Sequence, residues 1–579
     1  MTEKPQKQWR FRPAEDSSLV RELAASINMP ELFGALLLQR GIDSPEAAQA
    51  FLCPTLAQLP SPHLLKGMDK AVQILGDAIR EQRPIIIYGD YDVDGITATA
   101  VLALFLKELG VDCQCCQPSR FNTGYGFDSE LVENATKGTV LVTVDCGVGD
   151  VDQVARAKEM GLTVIVTDHH QPPDELPAAD ALINPLQPGC EFPYKYMAGV
   201  GVAFYLAMGL RGHLVDSGFF ADQSQAPNLK AFLDLVAIGT ICDMVPLVEV
   251  NRIMTIAGLE VLARSNRLGL RYLVEVANIS ADHVTSSDVG CRLGPRLNAP
   301  GRMGSAEISL QLVMSDDPAQ AKVLAQQVDA VNHQRQEVVR QVVEVATERA
   351  VKRVKEGANS LVLHENDWHG GVLGIVASRL ADDFNRPAIM LSVNRQGLLK
   401  GSGRSVPGFD LHAALADCAD LLENYGGHTC AVGLALQPDR LTEFMIRFDE
   451  VVTAKLDKDA LQPLLWIDQV VSAEDLTHAD FINGYQRLEP FGVGNPEPVF
   501  ASSEEIVFEN AKVVGNDHLK FTARINGSRW AGIGFGFGGF LDQVEGQLTR
   551  PAFTVRKNFF RGREEWQLNV VDISPPVTN

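Results

Sequence analysis

The chain has 579 residues, 46% of them hydrophobic, and a net charge of -22 at neutral pH. At roughly 100–200 residues per domain this is about three to five globular domains, and no apolar run of about 18 residues is present to cross a membrane. The opening MTEKPQKQWRFRP lacks the apolar core of a signal peptide, so a cytoplasmic location is expected. The acidic balance argues against a nucleic-acid-binding surface, but net charge is an average and a basic groove can persist within it. Ten cysteines are scattered, mostly in apolar runs, and the densest group (Cys113, Cys115, Cys116) has no second pair beside it. That spacing disfavours zinc and fits buried thiols in a reducing compartment.

From residue 84 the pattern is strand, loop, helix, repeated. Ile85 to Tyr88 is a short apolar run that breaks into the acidic loop GDYDVDG, and ITATAVLALFLKELG reads as a buried helix ending at Gly110. Val140 to Val144 ends at Asp145, and a helical stretch follows around DVDQVARAKEMG. Thr163 to Thr167 ends at Asp168-His169-His170, and the apolar stretch Leu235 to Ile241 leads to Asp243. Strands alternating with helices imply a parallel sheet covered on both faces, with ligands at the carboxyl ends of the strands. Each acidic group is expected at such a strand end.

Residues 316–356 contain no proline after Pro318 and no glycine, which predicts one long helix between two lobes. A second α/β segment follows, holding DWHGGVLGIVASRL, GSGRS at 401–405 and YGGH at 425–428. Around Pro490 the text becomes EPFGVGNPEPVF, a boundary rich in glycine and proline. Short alternating runs after it predict a small antiparallel barrel.

Asp90, Asp92 and Asp94 alternate, so at a strand's end they would share one face. Carboxylates that close repel one another, and divalent cations relieve the repulsion. Asp145, Asp168-His169-His170 and Asp243 bring further donors, enough for two ions, and Asp with His suits Mn²⁺ or Mg²⁺ better than a thiolate-seeking metal. The twelve-residue calcium-loop spacing fails, because an apolar helix follows GDYDVDG at once. Singly, Asp145 and Asp243 would read as helix caps and His169-His170 as a packed or surface pair. Their joint arrival favours a metal site.

GDYDVDG, VTVDCGV, VTDHH and GTICDMVPL resemble the four consecutive motifs of the DHH phosphoesterases. CRLGPRLNAPGRM, DWHGGVLGIVASRL, GSGRS, YGGH and PFGVGNPEPVF then resemble, in order, those of RecJ-type single-strand-specific DNA exonucleases. The resemblance implies an α/β fold of two lobes, a DHH catalytic lobe with a parallel sheet and a smaller DHH-associated lobe, joined by a long helix, with a C-terminal OB-like barrel. The expected spans are 1–315 for the catalytic domain with its N-terminal extension, 316–357 for the helix, 358–460 for the associated domain and 461–579 for the OB domain.

It further implies two Mn²⁺ or Mg²⁺ ions held by Asp92, Asp94, Asp145, His169 and Asp243, with Asp145 bridging. Asp90 and Asp168 would orient these ligands, and His170 would touch the scissile phosphate. Arg120, Ser402 and Arg404 would pocket a 5′-phosphate, Tyr125 would stack on a base, and Arg296, Asn298 and Arg302 would grip the backbone. Gly427 and His428 would close the site, which would lie in a cleft between the lobes. Arg556, Lys557, Arg561 and Arg563, interleaved with Phe559, Phe560 and Trp566, would line a single-strand groove. The implied activity is 5′→3′ hydrolysis of single-stranded DNA in repair, recombination and mismatch repair. Single-strand-binding protein and repair helicases would be partners of a monomeric enzyme. The rivals are a hydrolase of short oligoribonucleotides or cyclic dinucleotides and a non-catalytic DNA-binding scaffold.

Overall fold

The computed structural model describes residues 7–13, 15–118, 133–394, 396–457, 461–515, 517–525, 527–560 and 563–574. The chain divides into two compact units, Phe11–Asp329 with Trp466–Asn579, and Ala330–Leu465 with Met1–Arg10. The helix Pro318–Lys355 carries the chain from the first to the second.

The first unit is built around five parallel strands in the order Gln114–Cys116, Ile85–Gly89, Val140–Val144, Thr163–Thr167, Ala181–Ile183. Its strands are apolar at nearly every position because both faces are covered. Ile85, Ile87, Val140, Val142 and Val144 pack in one core with helices Met68–Arg80, Val93–Glu108 and Gly199–Asp216. Ile86, Tyr88, Leu141, Val164 and Val166 face Val154 and Ala157 of Val151–Glu159. The helix Val93–Glu108 is apolar all round because it touches both Gly199–Asp216 and Leu233–Cys242.

Residues 235–241 are helical, part of Leu233–Cys242, where the sequence reading placed a strand end before Asp243. A short apolar run has no period that separates a buried helix from a buried strand. GPRLNAPGRM is likewise a helix, Gly294–Met303, with Pro300 inside it.

Five strands close the barrel in the same unit: Ile506–Val514, His518–Ile525, Ser528–Phe535, Arg563–Ser574 and Leu548–Phe560. Four of the pairings are antiparallel, while Ser528–Phe535 runs parallel to Arg563–Ser574. A closed ring with an odd number of strands cannot alternate direction throughout, so one parallel pairing is a geometric necessity. The N-terminal helices Ser17–Ile27, Glu31–Leu38 and Pro45–Leu52, grouped with the catalytic domain in the sequence reading, bury their apolar faces in the barrel's core. The Phe33 ring lies tilted against Phe481 there, their centroids 6.1 Å apart. Arg252, fully buried, ties these parts together by donating to the carbonyls of Phe51, Arg487, Leu488 and Glu489.

The second unit holds a mixed sheet in the order Asn424–His428, Ala431–Leu436, Leu399–Arg404, Ala388–Val393, Leu361–His364. All ten cysteines are free thiols, and only Cys418 is fully buried, so most are less enclosed than their apolar neighbours predict. Among the described residues no helix is long and apolar enough to cross a membrane.

Candidate active site

Gly89, Val144, Thr167 and Ile183 stand in register across the parallel sheet. The next residues, Asp90, Asp145, Asp168 and Asn184, therefore leave the sheet along one edge. Asp145 is buried and takes the left-handed backbone conformation, with φ 60°, which aspartate tolerates better than most residues. A non-glycine residue held there at the centre of an acidic cluster marks a site rather than a turn.

The DYDVDG loop works differently from an alternating strand. Asp92 is the N-cap of Val93–Glu108, its Oδ1 accepting the amides of Asp94 at 2.9 Å and Gly95 at 3.1 Å. Asp94 then lies in the helix's first turn. Its buried carboxylate accepts the amides of Gly199 at 2.6 Å and Val200 at 2.9 Å, at the start of Gly199–Asp216. Partial positive charge at that helix N-terminus favours the carboxylate. A side chain at Gly199 would run into Asp145, so the cradle requires glycine. Asp243 caps the other kind of helix end, the C-terminus of Leu233–Cys242, where the helix dipole opposes its charge.

These carboxylates converge on His169. Its Nε2 lies 3.1 Å from Asp145 Oδ1, 3.6 Å from Asp243 Oδ2 and 3.9 Å from Asp94 Oδ2. Three of those atoms, Asp145 Oδ1, His169 Nε2 and Asp243 Oδ2, are buried without a hydrogen-bond partner. Burial, then the charges of Asp94, Asp92, Asp243 and Asp90, pushes Asp145 well above the usual carboxylate range. Burial and the charges of Asp94 and Asp92 raise Asp243 to about 9. Burial and Asp92 raise Asp90 and Asp94 to about 7 each. Burial and the neighbouring His170 charge lower His169 to about 4, which keeps its imidazole neutral and its lone pair available. Buried like charges and orphaned donors in one place are the arrangement a divalent cation satisfies. Donor atoms gather within 4.8 Å in three overlapping sets: Asp145, His169, His170; Asp94, His169, Asp243; and Asp90, Asp92, Asp145. Oxygen donors with one neutral imidazole fit Mn²⁺ or Mg²⁺.

Asp168 has another task. Its Oδ1 accepts from the amides of His169 and His170 and lies 2.7 Å from His170 Nδ1, while Oδ2 accepts from Val148. Burial alone would raise its pKa, but these bonds and the His170 charge outweigh it and leave Asp168 below its ordinary value. Burial in turn works against the charged form of His170, yet Asp168 raises it to about 9. His170 is thus half-exposed at the rim, with Asp168 favouring its charged form.

A DHH family N-terminal domain matches residues 84–240, a DHHA1 domain 350–454 and a RecJ OB domain 467–572. The single-stranded-DNA-specific exonuclease RecJ of Escherichia coli is 37% identical over 99% of this chain and 100% of its own length. The chain belongs to the RecJ family. The crystal structure of RecJ from Thermus thermophilus in complex with Mn²⁺ superposes with a TM-score of 0.81 at 30% identity, covering 99% of this chain and 80% of that one. Its Mg²⁺ complex gives 0.75 at 28% identity, covering 99% and 79%.

The remaining RecJ-type positions are more scattered. Arg120 and Tyr125 lie outside the described residues. Arg296 Nε is paired with Asp329 Oδ1 at 2.8 Å, and its Nη1 donates to the Arg292 carbonyl. Asn298 and Arg302 are half-buried on the same helix, Gly294–Met303. Ser402, Arg404, Gly427 and His428 all belong to the second unit's sheet. Arg404 and His428 both pair with Ala431, so the three stand in one row. A side chain at Gly374 would come within 3.1 Å of Arg404 Nη2 and 3.6 Å of Ser402, bringing the start of helix Leu373–Phe384 against them. Ile375 lies on that helix, half-buried.

Residues that the motifs did not single out also shape the RecJ-type centre. Asn184 donates to the His170 carbonyl at 2.9 Å, and the Met197 backbone hydrogen-bonds the His169 ring. The in-register strand end was the available signal for Asn184; backbone contacts such as Met197 leave no side-chain pattern.

In the barrel, two of the cations expected to meet phosphate already have partners. Arg556 Nη2 lies 2.8 Å from Glu497, and Lys557 lies 2.6 Å from Glu564. Trp566 packs edge-on against Tyr485 at 6.3 Å, as part of the barrel's own packing. The side chains of Phe559, Phe560, Arg561 and Arg563 lie outside the described residues.

Proposed function

We propose that this chain is a metal-dependent exonuclease specific for single-stranded DNA, cutting from the 5′ end in DNA repair and recombination. The observation that carries the reading is the convergence of Asp145 Oδ1, His169 Nε2 and Asp243 Oδ2, buried and unpartnered at the carboxyl edge of the sheet. Asp92, Asp94, Asp145, His169 and Asp243 would hold two Mn²⁺ or Mg²⁺ ions. When bound, such a pair supplies an activated water and charge stabilisation of the leaving oxygen.

The chain's own groups do the rest. Asp168 fixes the orientation and positive charge of His170, which donates from the half-exposed rim to a phosphate oxygen. The amides of Gly199 and Val200 hold Asp94 still, and the Met197 backbone orients His169. Ser402 and Arg404, beside the amino end of Leu373–Phe384, suit a terminal phosphate, since helix starts and guanidinium forks both bind such anions. Arg120 is assigned a phosphate contact in this reading, and Tyr125 a stacking face that accepts any base. Arg296, Asn298 and Arg302 track the backbone in this reading, and Gly427 and His428 are further substrate contacts. Monomeric action in the cytoplasm, alongside single-strand-binding protein and repair helicases, completes the proposal.

A 5′-labelled single strand, its duplex and its RNA counterpart, each incubated with Mn²⁺, test it directly. Release of mononucleotides from the single strand, lost in Asp145→Ala, is the expected result. Retained binding without cleavage would replace it with the scaffold reading. Cleavage of only very short oligomers would replace it with the small-substrate reading.

A further inference from the structure

The segment Phe491–Pro496, between helix Phe481–Leu488 and strand Phe500–Ser502, packs against the loop that carries Asp243. That loop, residues 243–248, joins helices Leu233–Cys242 and Glu249–Ala263 and has no regular structure of its own. Asp94, Asp92 and Asp168 are each aimed by amides that their carboxylates accept. Asp243 Oδ2 has no hydrogen-bond partner and sits at a helix C-terminus, against an opposing helix dipole. Its position therefore depends on how firmly the loop backbone is held.

Two sets of contacts hold it. On one side the Pro246 carbonyl accepts from Tyr194 Oη at 3.1 Å and Asn251 Nδ2 at 3.0 Å. On the other, the Leu247 amide donates to the Val493 carbonyl at 2.7 Å. The approach is too close for side chains. A Cβ on Gly492 would lie 2.7 Å from Leu247 Cδ1. One on Gly494, whose φ is 75°, would lie 2.9 Å from Pro246 Cβ and 3.4 Å from Val248 Cγ1. The segment is itself braced. Gly492 and Asn495 exchange two backbone hydrogen bonds at 2.9 and 3.1 Å. Asn495, fully buried, donates to the carbonyls of Leu488 and Pro490 and accepts from Arg40 Nε. Ser286 Oγ donates to the Phe491 carbonyl.

We infer that Gly492, Val493 and Gly494 are positioning residues for the metal centre: they clamp the 243–248 loop and so fix where Asp243 stands. The inference rests on the proposed two-ion reading. It gives the barrel junction a role in metal affinity that is separate from any grip on nucleic acid. Removing residues from 490 onward would then damage the metal centre as well as the barrel.

Mn²⁺ titration of the full chain, read by the spin signal of free Mn²⁺, tests it with no substrate present. Gly494→Ala and Gly492→Ala are each expected to weaken uptake of one ion roughly ten- to hundredfold, the range typical of groups that orient metal ligands. Gly527→Ala is the control: it has the same φ of 75° but nothing within 4 Å of the added methyl. It should keep both ions at wild-type affinity. Leu247→Ala in the Gly492→Ala background removes the atoms the new methyl meets and should restore uptake. Should Gly494→Ala fail to fold, the Gly492 pair gives the answer. Wild-type affinity in both glycine variants, or an equal loss in Gly527→Ala, would overturn the clamp. A wild type that takes up two Mn²⁺ but cuts no single strand would overturn the proposed function and leave the clamp standing.

Discussion

The catalytic edge of the parallel sheet and the barrel treat charge in opposite ways. At the edge, buried Asp94 and Asp145 crowd half-buried Asp90 and Asp243, all four with raised pKa values, and Asp145 and Asp243 each leave an oxygen without a partner. On the barrel, Arg524 is matched to Glu509, Arg556 to Glu497 and Lys557 to Glu564. A region that leaves charges in conflict without a cation is built around a cation. Cations paired as on the barrel can meet a phosphate chain only by exchanging partners, which makes their grip adjustable and sensitive to salt. The cavity of about 630 Å³ lined by Met244, Arg292, Phe491, Arg556 and Lys557 shows the balanced style, with Asp288, Glu489, Glu497 and Glu564 in the same wall.

The largest expected effect separates these regions. Asp145→Asn keeps a residue that tolerates the left-handed backbone but removes a buried charge. Loss of several kcal/mol of charge stabilisation should lower the hydrolysis rate on the order of a thousandfold. The same change should raise the melting temperature of the metal-free protein, because it relieves like-charge repulsion. A lower melting temperature without metal would show that the edge is not in electrostatic conflict.

Arg252→Leu comes next. It strands the carbonyls of Phe51, Arg487, Leu488 and Glu489 and removes the guanidinium stacked 3.8 Å over the Phe51 ring. Urea unfolding should report a loss of about 3–5 kcal/mol. A loss below about 1 kcal/mol would mean that the junction of N-terminal helices, catalytic helices and barrel is held elsewhere.

Glu489 gives a smaller, pH-dependent effect. Burial and the Glu497 charge raise it to about 7 from an ordinary 4.5. The folded protein therefore binds this proton more tightly than the unfolded chain, so stability falls as pH rises from about 4.5 to 7 and stays reduced above. Glu489→Gln should stabilise by about 1–2 kcal/mol at pH 8, after allowing for solvent screening, and by little at pH 4. Equal stabilisation at both pH values would rule out the titration as its source.

The smallest effect tests the barrel's balance. Glu497→Gln releases Arg556 but keeps an acceptor for Tyr485 Oη, now 3.1 Å from Glu497 Oε1. Exposed pairs are worth about 0–1 kcal/mol, so single-strand affinity should rise only a few-fold, with the salt dependence steeper by about one unit. Unchanged salt dependence would place Arg556 outside the nucleic-acid path.

The sequence by itself determined the frame of the catalytic sheet. Val140–Val144 and Thr163–Thr167 are strands where their apolar runs place them, because a strand covered on both faces must be apolar at every position. It also determined which residues gather, since Asp145, Asp168 and His169 follow directly from those strand ends. Tertiary structure alone decided how the other carboxylates arrive. Asp92 and Asp94 come in on a helix start and Asp243 on a helix end. Short apolar or acidic runs carry no period that tells these apart from strand ends. The amides of Gly199 and Val200, the Met197 backbone and the carbonyl of Val493 were equally illegible, because backbone groups are the same in every residue. What aims them is the packing of segments up to about 250 residues apart, such as Leu247 on Val493, and only the folded chain brings those together.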